Sequence, residues 1–123
     1  MKNELEELKQ KIQEFDASSA LLYCANDEDF LLEMLEDYIN SDFLMNIKTY
    51  FEEEDWKNYT IKVHALKSTS LMVGFPELSE KAKKLQFAGE GGDIDYIKEN
   101  NKEVVDDLER YCNIIRGIVA AEE

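Results

Sequence analysis

His64-Ala65-Leu66-Lys67-Ser68-Thr69-Ser70-Leu71-Met72-Val73-Gly74-Phe75-Pro76 is the stretch on which the reading of this 123-residue chain turns. Together with the residues ahead of it, Trp56, Tyr59, Val63, Leu66, Ser70 and Val73 follow the alternating three- and four-residue spacing of a helix with one face in a core. His64, the only histidine, points well away from the middle of that stripe. It falls beside Thr60, Lys67 and Leu71 and is expected at or near solvent. Gly74 is placed to end the helix in the left-handed conformation that side chains disfavour, and Pro76 suits the first turn of the next helix, where no backbone N–H is needed. The product is a tight helical hairpin. If it reverses about Phe75, Gln86 comes opposite His64 and Lys83 opposite Lys67.

Outward from the hairpin the helical pattern continues in both directions. Asn3 is a candidate cap for a first helix, a short appendage with Leu5, Leu8, Ile12 and Phe15 on one face. Asp16 and Ser18 offer the next caps, ahead of the apolar run Ala20 to Ala25, which reads as buried helix broken by Asn26 and Asp27. Asp27 then starts a helix with the stripe Phe30, Leu31, Met34, Leu35, Tyr38 and Ile39. Ser41 reads as the cap of another helix carrying Phe43, Leu44, Ile47, Tyr50 and Phe51. Glu52 to Asp55 is most simply a solvated run whose carboxylates favour the start of the His64 helix; a divalent-cation site is the sharper alternative. Beyond the hairpin, Leu78, Ala82, Leu85 and Ala88 form a core face, and Gly89-Glu90-Gly91-Gly92 reads as a turn. Asp93 caps a last helix with the stripe Ile97, Asn101, Val104, Leu108, Tyr111, Ile115 and Ile118. No strand-like alternation occurs. The expected fold is all-α: an antiparallel up-and-down four-helix bundle with additional short N-terminal helices. One domain is expected over 1–123, with 1–26 as the N-terminal helices and about 27–122 as the bundle core.

Composition narrows the partners. The net charge of −14 disfavours nucleic acid and anionic membranes, both of which reward basic surfaces. The distribution matters more than the total. Between Lys57 and Lys84 six lysines (Lys57, Lys62, Lys67, Lys81, Lys83 and Lys84) stand against Glu77 and Glu80, an excess of four positive charges, so the remainder carries −18. The hairpin reads as a basic island in an acidic protein, suited to an anion. Cys24 and Cys112 form no CxxC and sit in apolar stretches; they read as small buried hydrophobes rather than a disulfide, and with one histidine they make no zinc set. No apolar run reaches the length of a bilayer span, and the N-terminus lacks a signal-peptide core, so a cytoplasmic location is expected.

These residues carry a family resemblance. The run from His64 to Gly74, with Asp55-Trp56 ahead and Gly92-Asp93 behind, resembles the histidine-containing phosphotransfer (HPt) domain, whose core reads roughly His-x-Leu-Lys-Gly-small-small-x-x-apolar-Gly. The helix pattern extends the similarity over about residues 16 to 120. Mapped by position, His64 matches the phosphorylated histidine, Lys67 the phosphate-facing lysine and Gly74 the helix-ending glycine. Ser68 stands in place of the usual glycine, with a hydroxyl able to bond a phosphoryl oxygen. Gln86 stands where many members have glutamate.

The resemblance implies a phosphocarrier in a His-Asp-His-Asp relay. His64 would exchange a phosphoryl group with the aspartate of a receiver domain, in a response regulator or a hybrid sensor histidine kinase. No ATP-binding motif is present, and the chain is expected not to be an enzyme in its own right: Mg2+ comes with the partner, and no cofactor of its own is expected. Physically, the phosphohistidine gains about two negative charges, which Lys67 and either Lys83 or Lys84 can offset. Gln86 is a candidate to hold the ring nitrogen that does not react. Thr60, Leu71, Ala65 and Phe87 would line the docking surface, Leu71 and Phe87 being equally readable as core. A monomer is the expected state. Two rival readings remain: a passive acidic helical protein-interaction module in which His64 is incidental, and an autonomous hydrolase or transferase, for which no second acid, base or metal set is evident.

Overall fold

Seven helices account for most of residues 4–119, the part of the chain that the computed structural model describes. They are α1 (Glu4–Lys11), α2 (Ala17–Tyr23), α3 (Glu28–Asn40), α4 (Phe43–Glu52), α5 (Trp56–Met72), α6 (Pro76–Gly91) and α7 (Ile94–Val119). No strand occurs among the described residues. No helix there is long and apolar enough to cross a membrane. The expected Asn3 cap lies outside the described residues.

Side-chain caps start four of the helices. Oδ1 of Asp16, Asp27, Asp55 and Asp93 accepts from the backbone N–H of Ser19, Phe30, Asn58 and Tyr96 respectively. Each satisfies a donor that the first helical turn leaves without a partner. Ser41 behaves differently from expectation. Its hydroxyl turns back to donate to the Tyr38 carbonyl at 2.7 Å, closing α3, while α4 begins after Asp42 with no side-chain cap.

The α5–α6 reversal is as tight as Gly74 and Pro76 suggest. Gly74 has φ +98°, Phe75 N–H donates to the Ser70 carbonyl at 2.8 Å, and Gly74 N–H donates to that of Leu71, the paired bonds of a Schellman ending. Proline opens α6. The turn is also an anchor, because the Gly74 carbonyl accepts from Asp16 N–H at 2.7 Å. A Cβ on Gly74 would sit 2.7 Å from Phe15 Cε1 and 2.9 Å from the Asp16 carbonyl oxygen.

Around the hairpin, α4 packs on α5, α7 packs on α6 and α4, and α3 and α1 lie against α7. The whole length of the α7 stripe is buried, from Ile97 to Ile118. Phe75 stacks on Tyr111 with centroids 4.4 Å apart and also contacts Tyr38 and Phe15. Two buried polar pairs cross the core: the hydroxyls of Tyr38 and Ser70 lie 2.7 Å apart, and Tyr59 donates to Asn101 Oδ1 at 2.7 Å. Burial pushes both tyrosine hydroxyls well above their ordinary pKa, so they remain protonated and neutral. Cys24 and Cys112 are free and buried, and desolvation raises both thiols, which keeps them protonated and unreactive.

Four expectations need correction. The run Ala20–Ala25 is not a buried helix: α2 stops at Tyr23, with Leu22 77% and Tyr23 52% exposed, and the left-handed residues Ala25 and Asn26 turn the chain. A continuous apolar run has no period to tell which side faces inward. Phe30 leaves its stripe and is 46% exposed, while Leu31 and Leu35 take the core-facing positions of α3. The glycine cluster is mostly helix, since α6 runs to Gly91 and only Gly92, left-handed at φ 76°, ends it. The first helix is more than an appendage, as Leu5, Leu8 and Ile12 belong to the core.

Two outcomes follow from these ties. Gly74→Ala is expected to lower the unfolding free energy by about 2 kcal/mol, read by urea titration; an unchanged midpoint would mean the turn tolerates a Cβ. Arg110 hydrogen-bonds Glu14 and holds its carboxyl below the ordinary 4.5. A depressed folded-state pKa stabilises above the unfolded value, and that stabilisation is lost as pH falls through the folded one. Arg110→Ala should therefore melt below wild type at neutral pH, and the two melting curves should converge as pH drops below 4.5.

Candidate functional site

The groove between α5 and α6 is pinned at two points. Near one end, Gly89 meets Thr60 so closely that a Cβ there would stand 2.0 Å from Thr60 Oγ1. Thr60 is itself held, donating to the Trp56 carbonyl at 2.7 Å. Near the turn, Ser79 donates to the Lys67 carbonyl at 2.8 Å. His64 lies one turn from each pin on α5, four residues after Thr60 and three before Lys67. Gln86 lies between the matching pins on α6. The pairing of Thr60 with Gly89 falls within one residue of the register expected for a reversal at Phe75, and Ser79 with Lys67 departs further, toward the turn.

His64 is exposed, and its ring makes no hydrogen bond among the described residues. The structure gathers Thr60 and Lys67, both half-buried, around it, with exposed Ser68 one turn on. Leu71 and Phe87, readable either as core or as surface, are both surface: they are 37% and 55% exposed. Ala65 is half-buried. Lys83 sits half-buried above the Phe87 ring, its Nζ 5.7 Å from the centroid. Lys84 does not join this group. It lines the groove between α6 and α7 with Ala88, Asp93, Tyr96 and Phe87, the last bordering both this groove and Lys83.

Gln86 is buried, and its Nε2 donates to Glu90 Oε2 at 2.9 Å. Its Oε1 is buried without a hydrogen-bond partner. An unpaired buried acceptor costs about 1–3 kcal/mol, so a donor is wanted at that point. Ile61, 58% exposed and one turn before His64, is a surface residue that the stripe reasoning passed over. Its signal was available: it is a β-branched apolar side chain on the same off-stripe side as His64.

The basic island is smaller than its count of lysines suggests. Lys62 pairs with Asp42 at 3.3 Å, and Lys81 pairs with Glu103 at 2.9 Å and Asp107 at 2.8 Å. Hydrogen bonds from Lys81 to Asp107 and Glu103 hold its ammonium well above the ordinary lysine range, and the Lys62 bond lowers Asp42. Both cations are thus committed to α7 and to the α3–α4 turn, acidic neighbours that a single segment of sequence does not reveal. Among the described residues Lys57, Lys67, Lys83 and Lys84 have no carboxylate within ion-pair reach, which leaves Lys67 and Lys83 as the cations of the His64 groove. No group of three or more His, Cys, Asp or Glu side chains there is arranged to hold a metal ion.

Set against protein-family models, curated proteins and solved structures, the chain matches none.

The Gly89–Thr60 contact sets how closely α5 and α6 approach. Gly89→Ala should destabilise the protein through the clash with Thr60, and Thr60→Ala should restore part of the loss in the double variant. Strict additivity of the two unfolding free energies would show that the helices do not meet there.

Proposed function

We propose that the chain is a phosphocarrier: His64 accepts a phosphoryl group from the aspartyl phosphate of a response-regulator receiver domain and passes it on to another. The observation that carries this reading is an exposed imidazole at mid-helix, in a groove pinned on both sides of it and supplied with two unpaired lysines. The resemblance of the His64–Gly74 run to HPt domains supports it. We further propose that α4 to α7 form the antiparallel up-and-down four-helix bundle of that family, with α1 to α3 packed around it.

The chemistry is a transfer of phosphorus from oxygen to nitrogen. The lone pair of the outward ring nitrogen attacks; the P–N bond forms, the P–O bond to the partner's aspartate breaks, and the carboxylate leaves. Lys67 and Lys83 offset the charge on the transferred group. Gln86, on the facing helix, would hold the other ring nitrogen through its unpaired Oε1 once the imidazole turns toward it. Ser68, Leu71, Ile61 and Phe87 form the surface on which the receiver domain closes, with Thr60 and Ala65 at its edge. The partner brings its own aspartate and Mg2+.

The test is intact-mass analysis of wild-type and His64→Gln protein after mixing with phosphoramidate or a phosphorylated receiver domain. One acid-labile phosphoryl group on wild type and none on the variant, with unchanged helical circular dichroism, is the expected result. No gain from either donor by a folded wild-type protein would discard the carrier reading in favour of an acidic interaction module. Lys67→Ala should slow transfer without abolishing it, and full-speed transfer would show that its ammonium does not face the phosphoryl group.

A further inference from the structure

We infer that Glu90 is a positioning residue for His64: by fixing which way the Gln86 amide faces, it selects which imidazole nitrogen carries the proton. The inference deepens the phosphocarrier reading, but its measurement needs no phosphoryl transfer.

A glutamine side chain can turn its amide over, exchanging donor for acceptor at little intrinsic cost, so a neighbour must choose the orientation. Glu90 is that neighbour. It lies one turn after Gln86 on α6, and its carboxylate can only accept, so it draws Gln86 Nε2 toward itself at 2.9 Å. Oε1 is thereby left as a buried acceptor without a partner, in a side chain only 7% exposed. Gln86 stands between Ser79, bonded to the Lys67 carbonyl, and Gly89, pressed on Thr60, so it faces the turn of α5 that holds His64. The Thr60 hydroxyl is already committed to Trp56. A neutral imidazole has one N–H and one bare nitrogen. Turned toward Gln86, it satisfies Oε1 only with its N–H side, and the bare nitrogen then points to solvent. The acidic residue at position 90 thus sets the nucleophilic nitrogen at position 64 without touching it.

The measurement is two-bond 1H–15N correlation of the His64 ring, at a pH where it is neutral, in wild type, Glu90→Lys and Gln86→Leu. Lysine at position 90 is a donor only, so it should turn the amide over and present Nε2 to His64. The expected results are one dominant tautomer in wild type, the opposite tautomer in Glu90→Lys, and a mixture in Gln86→Leu. Glu90 is exposed in the last turn of α6, where a cation is favourable, so the fold should be retained.

The same tautomer in Glu90→Lys as in wild type would overturn the inference. So would an even mixture in wild type, which would mean that Oε1 does not select the ring's N–H. Phosphoramidate uptake measured on the same samples separates the two ideas. Absent uptake with a tautomer that switches removes the carrier reading and leaves the positioning role; normal uptake with no switch does the reverse.

Discussion

The arrangement depends on how little chain separates α5 from α6. Three residues, Val73 to Phe75, reverse the backbone, which forces the two helices to lie antiparallel and in contact from their first turns onward. The left-handed Gly74 permits the reversal, and the Asp16 N–H bonded to its carbonyl joins the N-terminal segment to the same point. Phe75, inside the turn, is fully buried among Tyr111, Tyr38 and Phe15, so the loop is itself part of the core. Truncating a buried phenyl of this kind typically costs about 3–5 kcal/mol, comparable with the whole stability of a marginal domain. Everything around His64 is positioned by that reversal, since its two flanking pins are contacts between the hairpin's arms.

Much of this was legible from residue spacing. The stripe of α5 from Tyr59 to Val73 and the long stripe of α7 are buried as their periods indicate, because a helix between neighbours on several sides leaves no freedom about which face turns inward. The caps Asp16, Asp27, Asp55 and Asp93 were likewise readable, since each is a local hydrogen bond within four residues. The exposure of His64 followed from the same wheel.

What escaped the sequence depends on contacts between distant segments. Gly89 looks like part of a turn until Thr60 is seen against it, twenty-nine positions away in the chain. Lys62 and Lys81 look free until Asp42, Glu103 and Asp107 arrive from other helices. Leu22 and Tyr23 read as core because nothing in the continuous apolar run Ala20–Ala25 marks its solvent side. The orientation of the Gln86 amide is a choice made by one neighbouring carboxylate, beyond the reach of any pattern of apolar spacing.

The two buried polar pairs have a mechanical consequence. Tyr59 with Asn101 joins α5 to α7, and Tyr38 with Ser70 joins α3 to α5. Sliding α5 by a single turn would break both and leave three hydroxyls and an amide oxygen stranded in apolar surroundings, whereas a core of interchangeable leucines would tolerate the shift. The helix that bears His64 is therefore keyed along its axis, like a bolt seated in two slots. Under the proposed phosphocarrier reading, a receiver domain would meet a preset relief instead of a surface that must first settle into shape. Little conformational freedom would then remain to be lost on docking, so less of the contact energy would be spent on ordering the surface.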